Sequence, residues 1–206
     1  KGSSELFKKV KRIQIVACGT SLHAARVASN WLSSISGIPT QIDYASEYRY
    51  RNPHVDKDSL FVTISQSGET ADTLAALKYS EEKDYLSSVT ICNAPTSSIA
   101  RESKYFFYTN AGPEIGVAST KAFTTQLVGL MLLALSLAKS RNMNPKLRNR
   151  IITALRKLPE TMEETLCLKD EIIKICKDIA EKENALFLGR GIFYPIAKEG
   201  ALKLKE

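Results

Sequence analysis

Short apolar runs alternate with helically patterned stretches through the first half of this chain. The runs fall at about 13–17, 40–44, 60–64, 87–92 and 105–108, and most are continuous in Val, Ile, Phe and Tyr. Continuous runs suit strands covered on both faces. Between them, Leu22, Ala25, Val27, Ala28, Trp31, Leu32 and Ile35 recur at helical spacing and stop at Gly37-Ile38-Pro39, which predicts a helix over 21–36. A second helix is predicted over 70–83, with a short one at 45–50 and a helical turn near 97–101. From Ser119 the rhythm becomes almost wholly helical, at about 119–140, 145–158 and 162–181. Pro145 and Pro159 each read as helix starts, and Thr161 with Glu164 reads as a capping box. The chain closes on another strand–turn–helix unit, with its strand at 185–188.

Alternation of this kind predicts an α/β fold: a three-layer αβα domain around a five-stranded parallel sheet. The unit Ala185-Leu186-Phe187-Leu188-Gly189-Arg190-Gly191 repeats the opening unit Ile15-Val16-Ala17-Cys18-Gly19-Thr20-Ser21. Repetition points to tandem domains. The expected organisation is a first domain over 1–142, a helical connector over 143–183, and the first β-α unit of a second domain over 184–206. A sixth strand of the same sheet is the alternative. A start without Met and a stop inside a helix read as a piece of a longer protein.

Two βα turns carry the candidate chemistry. Ser65-Gln66-Ser67-Gly68-Glu69-Thr70 joins the third strand to its helix, and Cys18-Gly19-Thr20-Ser21 joins the first. Free N–H groups and a partial positive charge at a helix start suit a phosphate. Ser65, Ser67 and Thr70 add hydroxyl donors, Gln66 an amide, and Gly68 a close backbone approach. Plain helix capping accounts for the same residue types. Ligands of open parallel sheets sit beyond the carboxyl ends of the strands, so two such loops could embrace one phosphate. Neither turn has the Walker or GxGxxG spacing, which favours a small phosphorylated metabolite over a nucleotide.

Composition narrows the classes. The 206 residues are 44% hydrophobic and 25% charged, ordinary for a globular protein. The longest apolar stretch, 127–138, is short for a bilayer span and reads as a core helix, with a dimerisation face as the alternative. The opening Lys1-Gly2-Ser3-Ser4 is polar, with no signal-peptide pattern, and no membrane association is expected. Net charge is +7, from 29 basic and 22 acidic residues. No nucleic-acid reading motif accompanies it, so no nucleic-acid partner is expected; attraction of an anionic metabolite or a solvated surface accounts for it. Cys18, Cys92, Cys167 and Cys176 are scattered, and His23 stands far from His54. This predicts no metal site, no cofactor, and free thiols in a reducing, cytoplasmic setting.

With these residues in view, Cys18-Gly19-Thr20-Ser21, Ala45-Ser46-Glu47-Tyr48-Arg49-Tyr50-Arg51, the 65–73 run, Glu114-Ile115-Gly116-Val117-Ala118-Ser119-Thr120-Lys121 and Glu199-Gly200-Ala201-Leu202-Lys203-Leu204-Lys205-Glu206 together resemble the isomerase part of the glutamine–fructose-6-phosphate aminotransferase (glucosamine-6-phosphate synthase) family. The resemblance covers essentially the whole chain. It implies sugar isomerase (SIS) domains in tandem, preceded in the complete enzyme by a glutaminase domain that frees ammonia. Fructose 6-phosphate would be the ligand and glucosamine 6-phosphate the product, in a homodimer. By the same resemblance Ser65, Gln66, Ser67 and Thr70 hold the phosphate with Ser21 close by. Thr20, Val117 and Ser119 line the sugar, Glu206 moves a proton between C1 and C2, and Lys203 assists charge handling. Glu69 and Glu114 are expected to be structural. The family's ring-opening histidine and imine-forming lysine would lie beyond Glu206, so the chain alone should bind weakly and not turn over. Without the resemblance, Lys203 and Glu206 read first as a surface ion pair on one helix face, and only the resemblance reverses that order. The rival from another class is a non-catalytic phosphosugar-sensing SIS module, which has no need of a proton-ferrying acid.

Overall fold

In the computed structural model, which describes residues 2–116 and 119–206, five parallel strands form one sheet. They are β1 (Arg12–Ala17), β2 (Thr40–Tyr44), β3 (Ser59–Ser65), β4 (Ser87–Cys92) and β5 (Tyr105–Tyr108), in the order β2-β1-β3-β4-β5. Side chains alternate across the pleat, so each strand feeds two cores. Ile13, Ile15, Leu60, Val62, Ile64 and Ile91 pack on one face beneath helices α2 (Gly19–Trp31) and α6 (Lys121–Lys139), with α1 (Gly2–Lys9) alongside. Val16 and Phe61 pack on the other face beneath α3 (Ala45–Tyr48), α4 (Ala71–Glu81) and α5 (Ser98–Glu102). Thr63 is buried in the strand interior, and its hydroxyl bonds Thr90, which in turn bonds Ser103.

The expected three-layer architecture and its five parallel strands are present. The chain passes from β1 outward to β2, then returns across β1 to β3, so the winding direction reverses between β1 and β3. Loops beyond the carboxyl ends of strands at such a reversal form the usual ligand crevice. Val16 is in register with Thr63, which sets Cys18 level with Ser65. The two turns singled out by their hydroxyl content therefore flank this crevice from adjacent strands.

Four features differ from the sequence expectation. Helix α1 was not expected; its Leu6 and Phe7 pack onto the first core. The last residues of the helix expected over 21–36, Leu32–Ser36, form a π-helical turn ending at Gly37, whose φ is +68°. Helix α7 (Pro145–Leu166) runs straight through Pro159 instead of restarting there, and Thr161 bonds the Lys157 carbonyl within it, so the capping box does not form. The reason is the stripe Leu147, Ile151, Leu155, Leu158, Met162 and Leu166, whose helical phase continues across the proline. Lastly, 185–188 forms no strand, because among the described residues no neighbour pairs with it.

Helix α6 is long and apolar enough, by length and composition, to cross a membrane. Half of it is buried, with Leu130, Leu133, Ala134 and Leu137 on the sheet, as in a core helix. Helices α7 and α8 (Lys169–Ile179) leave many apolar side chains exposed, among them Leu166, Ile172, Ile175 and Ile179. The last helix, α9 (Phe193–Lys205), returns to pack against α2.

Candidate functional site

The turn after β3 is built by its own side chains. Ser65 Oγ accepts from Gly68 N at 2.9 Å, and Ser67 Oγ accepts from Glu69 N at 3.2 Å. Ser65 also lies 3.3 Å from the Thr70 hydroxyl. Gly68 holds φ +67°, and a Cβ there would lie 2.0 Å from Ser97 Oγ. Its carbonyl accepts from Ile99 N, and Glu69 Oε1 accepts from Ser98 N, so the turn is bolted onto the start of α5. Those two N–H bonds use acceptor lone pairs of Ser65 and Ser67. A hydroxyl has two such lone pairs and one donor proton, so these bonds leave the donor protons of both hydroxyls available to a ligand, Ser65 sharing its reach with Thr70.

Helix N-termini differ in how they are capped, and α3, α8 and α9 start without a side-chain cap. Ser97 caps α5 and Asn144 caps α7. The Glu114 carboxylate accepts from Thr120 N, Thr120 Oγ1 and Ala122 N at the start of α6. Glu69 and Glu114 are thus structural acceptors, as expected. Burial pushes the Glu114 carboxyl up, but these bonds and the Lys121 charge outweigh it and hold its pKa below the ordinary value. No side chain caps α2 at Cys18 or α4 at Thr70, the two helices that open on the crevice. Uncapped starts keep N–H groups and positive potential directed at that space.

Helix α9 brings the acid–base candidates to the same crevice. Lys203 Nζ donates to Thr20 Oγ1 at 3.1 Å and to Glu199 Oε1 at 3.1 Å. Its Nζ lies 3.6 Å from Glu206 Oε2. Thr20 Oγ1 donates to Glu199 Oε1 at 3.0 Å, and His23 Nδ1 lies 2.7 Å from Glu199 Oε2. Glu199 is only 5% exposed and His23 only 7%. Burial pushes the Glu199 carboxyl up, but bonds from His23, Lys203 and Thr20 and the Lys203 charge outweigh it, so its pKa falls below the ordinary value. Glu206 keeps a third of its side chain accessible.

Of the expected site residues, Ser65, Gln66, Ser67 and Thr70 share the β3 turn, and Thr20 and Ser21 share the first turn of α2. Thr20 joins Lys203, and Lys203 joins Glu206. Ser119 precedes α6, with its Oγ buried and unpartnered among the described residues. Val117 lies outside the described residues. Sequence reasoning missed Glu199 and His23. The signal was present for Glu199, since 199, 203 and 206 follow the i, i+4, i+7 spacing of one helix face.

The SIS domain family profile matches residues 6–136. The chain belongs to the SIS domain family. Within that family it is similar to named glutamine–fructose-6-phosphate aminotransferases (isomerizing). The protein of that name from Idiomarina loihiensis is 54% identical over 204 residues, 99% of this chain and 33% of the relative. The one from Pseudomonas aeruginosa is 55% identical over 205 residues, 99% of this chain and 34% of the relative. The chain thus spans about a third of the curated relatives it matches. Among solved structures, the C-terminal domain of glucosamine-fructose-6-phosphate aminotransferase from Francisella tularensis superposes with a TM-score of 0.97 at 49% identity. That match covers 99% of this chain and 58% of the other.

Proposed function

We infer that this SIS chain is the sugar-phosphate-binding part of an isomerizing glutamine–fructose-6-phosphate aminotransferase. It would bind fructose 6-phosphate and glucosamine 6-phosphate and supply part of the acid–base machinery. In the whole enzyme a glutaminase domain would deliver ammonia, two copies would associate, and residues 184–206 would begin a second SIS domain. The enzyme would reside in the cytoplasm. The high identity to relatives of that name over nearly all of this chain supports the reading.

The observation that carries it is the bond from Lys203 to Thr20. It ties the helix bearing Lys203 and Glu206 to the uncapped, hydroxyl-rich end of the sheet. The phosphate dianion would take donor protons from Ser65, Ser67 and Thr70 together with α4 N–H groups, with Ser21 and Gln66 at its margin. That anchor would orient the sugar carbons towards α9. Aldose–ketose interconversion removes a proton from one carbon and returns it to its neighbour through an enediol-like or enolamine intermediate. Glu206 would carry that proton, and the Lys203 ammonium would stabilise negative charge developing on oxygen. A phosphosugar sensor would have no use for this pair.

Titrating the chain with glucosamine 6-phosphate, followed by amide NMR, tests the phosphate site. Shifts should centre on 65–73 and on the start of α2. Shifts centred elsewhere would overturn the assignment.

A further inference from the structure

We propose that His23 is a positioning residue: it pins Glu199, and Glu199 in turn fixes the Lys203 ammonium beside Glu206. This deepens the reading above and rests on it. The Glu199 carboxylate is held from both sides. Oε1 takes Thr20 and Lys203, and Oε2 takes His23. Turning the carboxyl group would break all three contacts at once. Thr20 and His23 stand one turn apart on α2, so one rigid helix presents both prongs. With only the Thr20 prong, α2 would offer Glu199 and Lys203 a single polar anchor. With both, the orientation of the functional face of α9 is set.

The chemistry of the contact favours orientation over mere adhesion. A buried ion pair is seldom more stabilising than apolar packing of the same volume. Yet the α2–α9 contact spends a nearly fully buried carboxylate on three donors. Because that carboxylate is ionised, it can only accept, so His23 Nδ1 carries the proton and the ring tautomer is fixed. The titratable groups facing Glu199 are His23 from α2 and Lys203 from α9 itself, with Glu206 beyond Lys203. Losing the His23 donor would leave Glu199 Oε2 without a partner and the carboxylate free to turn and draw Lys203 away from Glu206. The proposed proton carrier would then be misplaced and would lose its neighbouring cation.

The test uses the full-length aminotransferase carrying this sequence, with His23→Ala, His23→Asn, His23→Gln and Glu206→Gln. His23→Ala should lower kcat about 10- to 100-fold, the scale of a misplaced reacting group, with little change in KM. It should also move the acid limb of the pH–rate profile to higher pH. Asn can present a donor near the Nδ1 position and should restore both; Gln, whose amide reaches further, should not. If His23→Ala fails to fold, the Asn and Gln variants decide, since a fold-only role would treat them alike. Equal kinetics for the two, or an unmoved pH profile in His23→Ala, would overturn the proposal. Wild-type turnover in Glu206→Gln would instead overturn the functional reading, whatever the His23 variants do.

Discussion

The β3 turn is held by side-chain bonds reaching two to 29 residues along the chain, whereas the α2–α9 contact rests on bonds spanning 176 to 183 residues. Ser65 and Ser67 organise their own loop, and α5 braces it from the neighbouring βα connection. The proposed phosphate subsite, apart from Ser21 on α2, is therefore complete once β3, α4 and α5 are formed. The proposed acid–base face is set in place only when α9 docks, through a polar network that reaches both Thr20 and His23. Binding and chemistry thus depend on different parts of the fold and should be separable by substitution.

The sharpest separation comes from Glu206→Gln in the full-length enzyme. It should cut turnover about 10²–10⁴-fold, the range for a lost general acid–base, while glucosamine 6-phosphate affinity by calorimetry stays near wild type. Gly68→Ala should do the reverse. The added Cβ meets Ser97 at 2.0 Å in a left-handed backbone conformation. Strain and overpacking together should cost about 3 kcal/mol of stability in denaturant titration, with phosphosugar binding lost. Thr70→Ala should weaken phosphosugar binding by about 1–3 kcal/mol, the scale of a charge-assisted donor, and leave stability nearly unchanged. No loss of affinity would move the anion away from this turn.

The smallest effect concerns pH. Glu199 has a folded pKa below its unfolded value. Its contribution to α9 docking is therefore full above the ordinary carboxylate range and lost as pH falls through the lower folded value. Amide-exchange protection over 193–205, relative to the intrinsic rate at each pH, should fall on acidification before protection over 71–81 does. Simultaneous loss of protection in both segments would show that the two regions are not independent.

This contrast also explains what the sequence made readable. Ser65–Thr70 could be recognised because hydroxyls, glycine and helix start all lie within six residues. The sheet was readable because Ile13–Ala17, Leu60–Ile64 and Val89–Cys92 are dense, buried runs. His23 gave no signal of its own, since its partner lies 176 residues away and a histidine on an apolar helix face has many roles. Pro159 misled because the rule that proline begins helices is local, while the apolar stripe through Leu155, Leu158 and Met162 keeps a longer phase. Residues 185–188 have strand-like composition, but a strand is a property of two segments.

The late arrival of α9 has a consequence for assembly. Closing a loop of roughly 180 residues is slow to repay its entropy, although the cost rises only gently with length. A nascent chain can therefore complete the proposed anion cradle while α9 is still untethered, and ligand captured at that stage would meet neither Lys203 nor Glu206 until that helix clips into place.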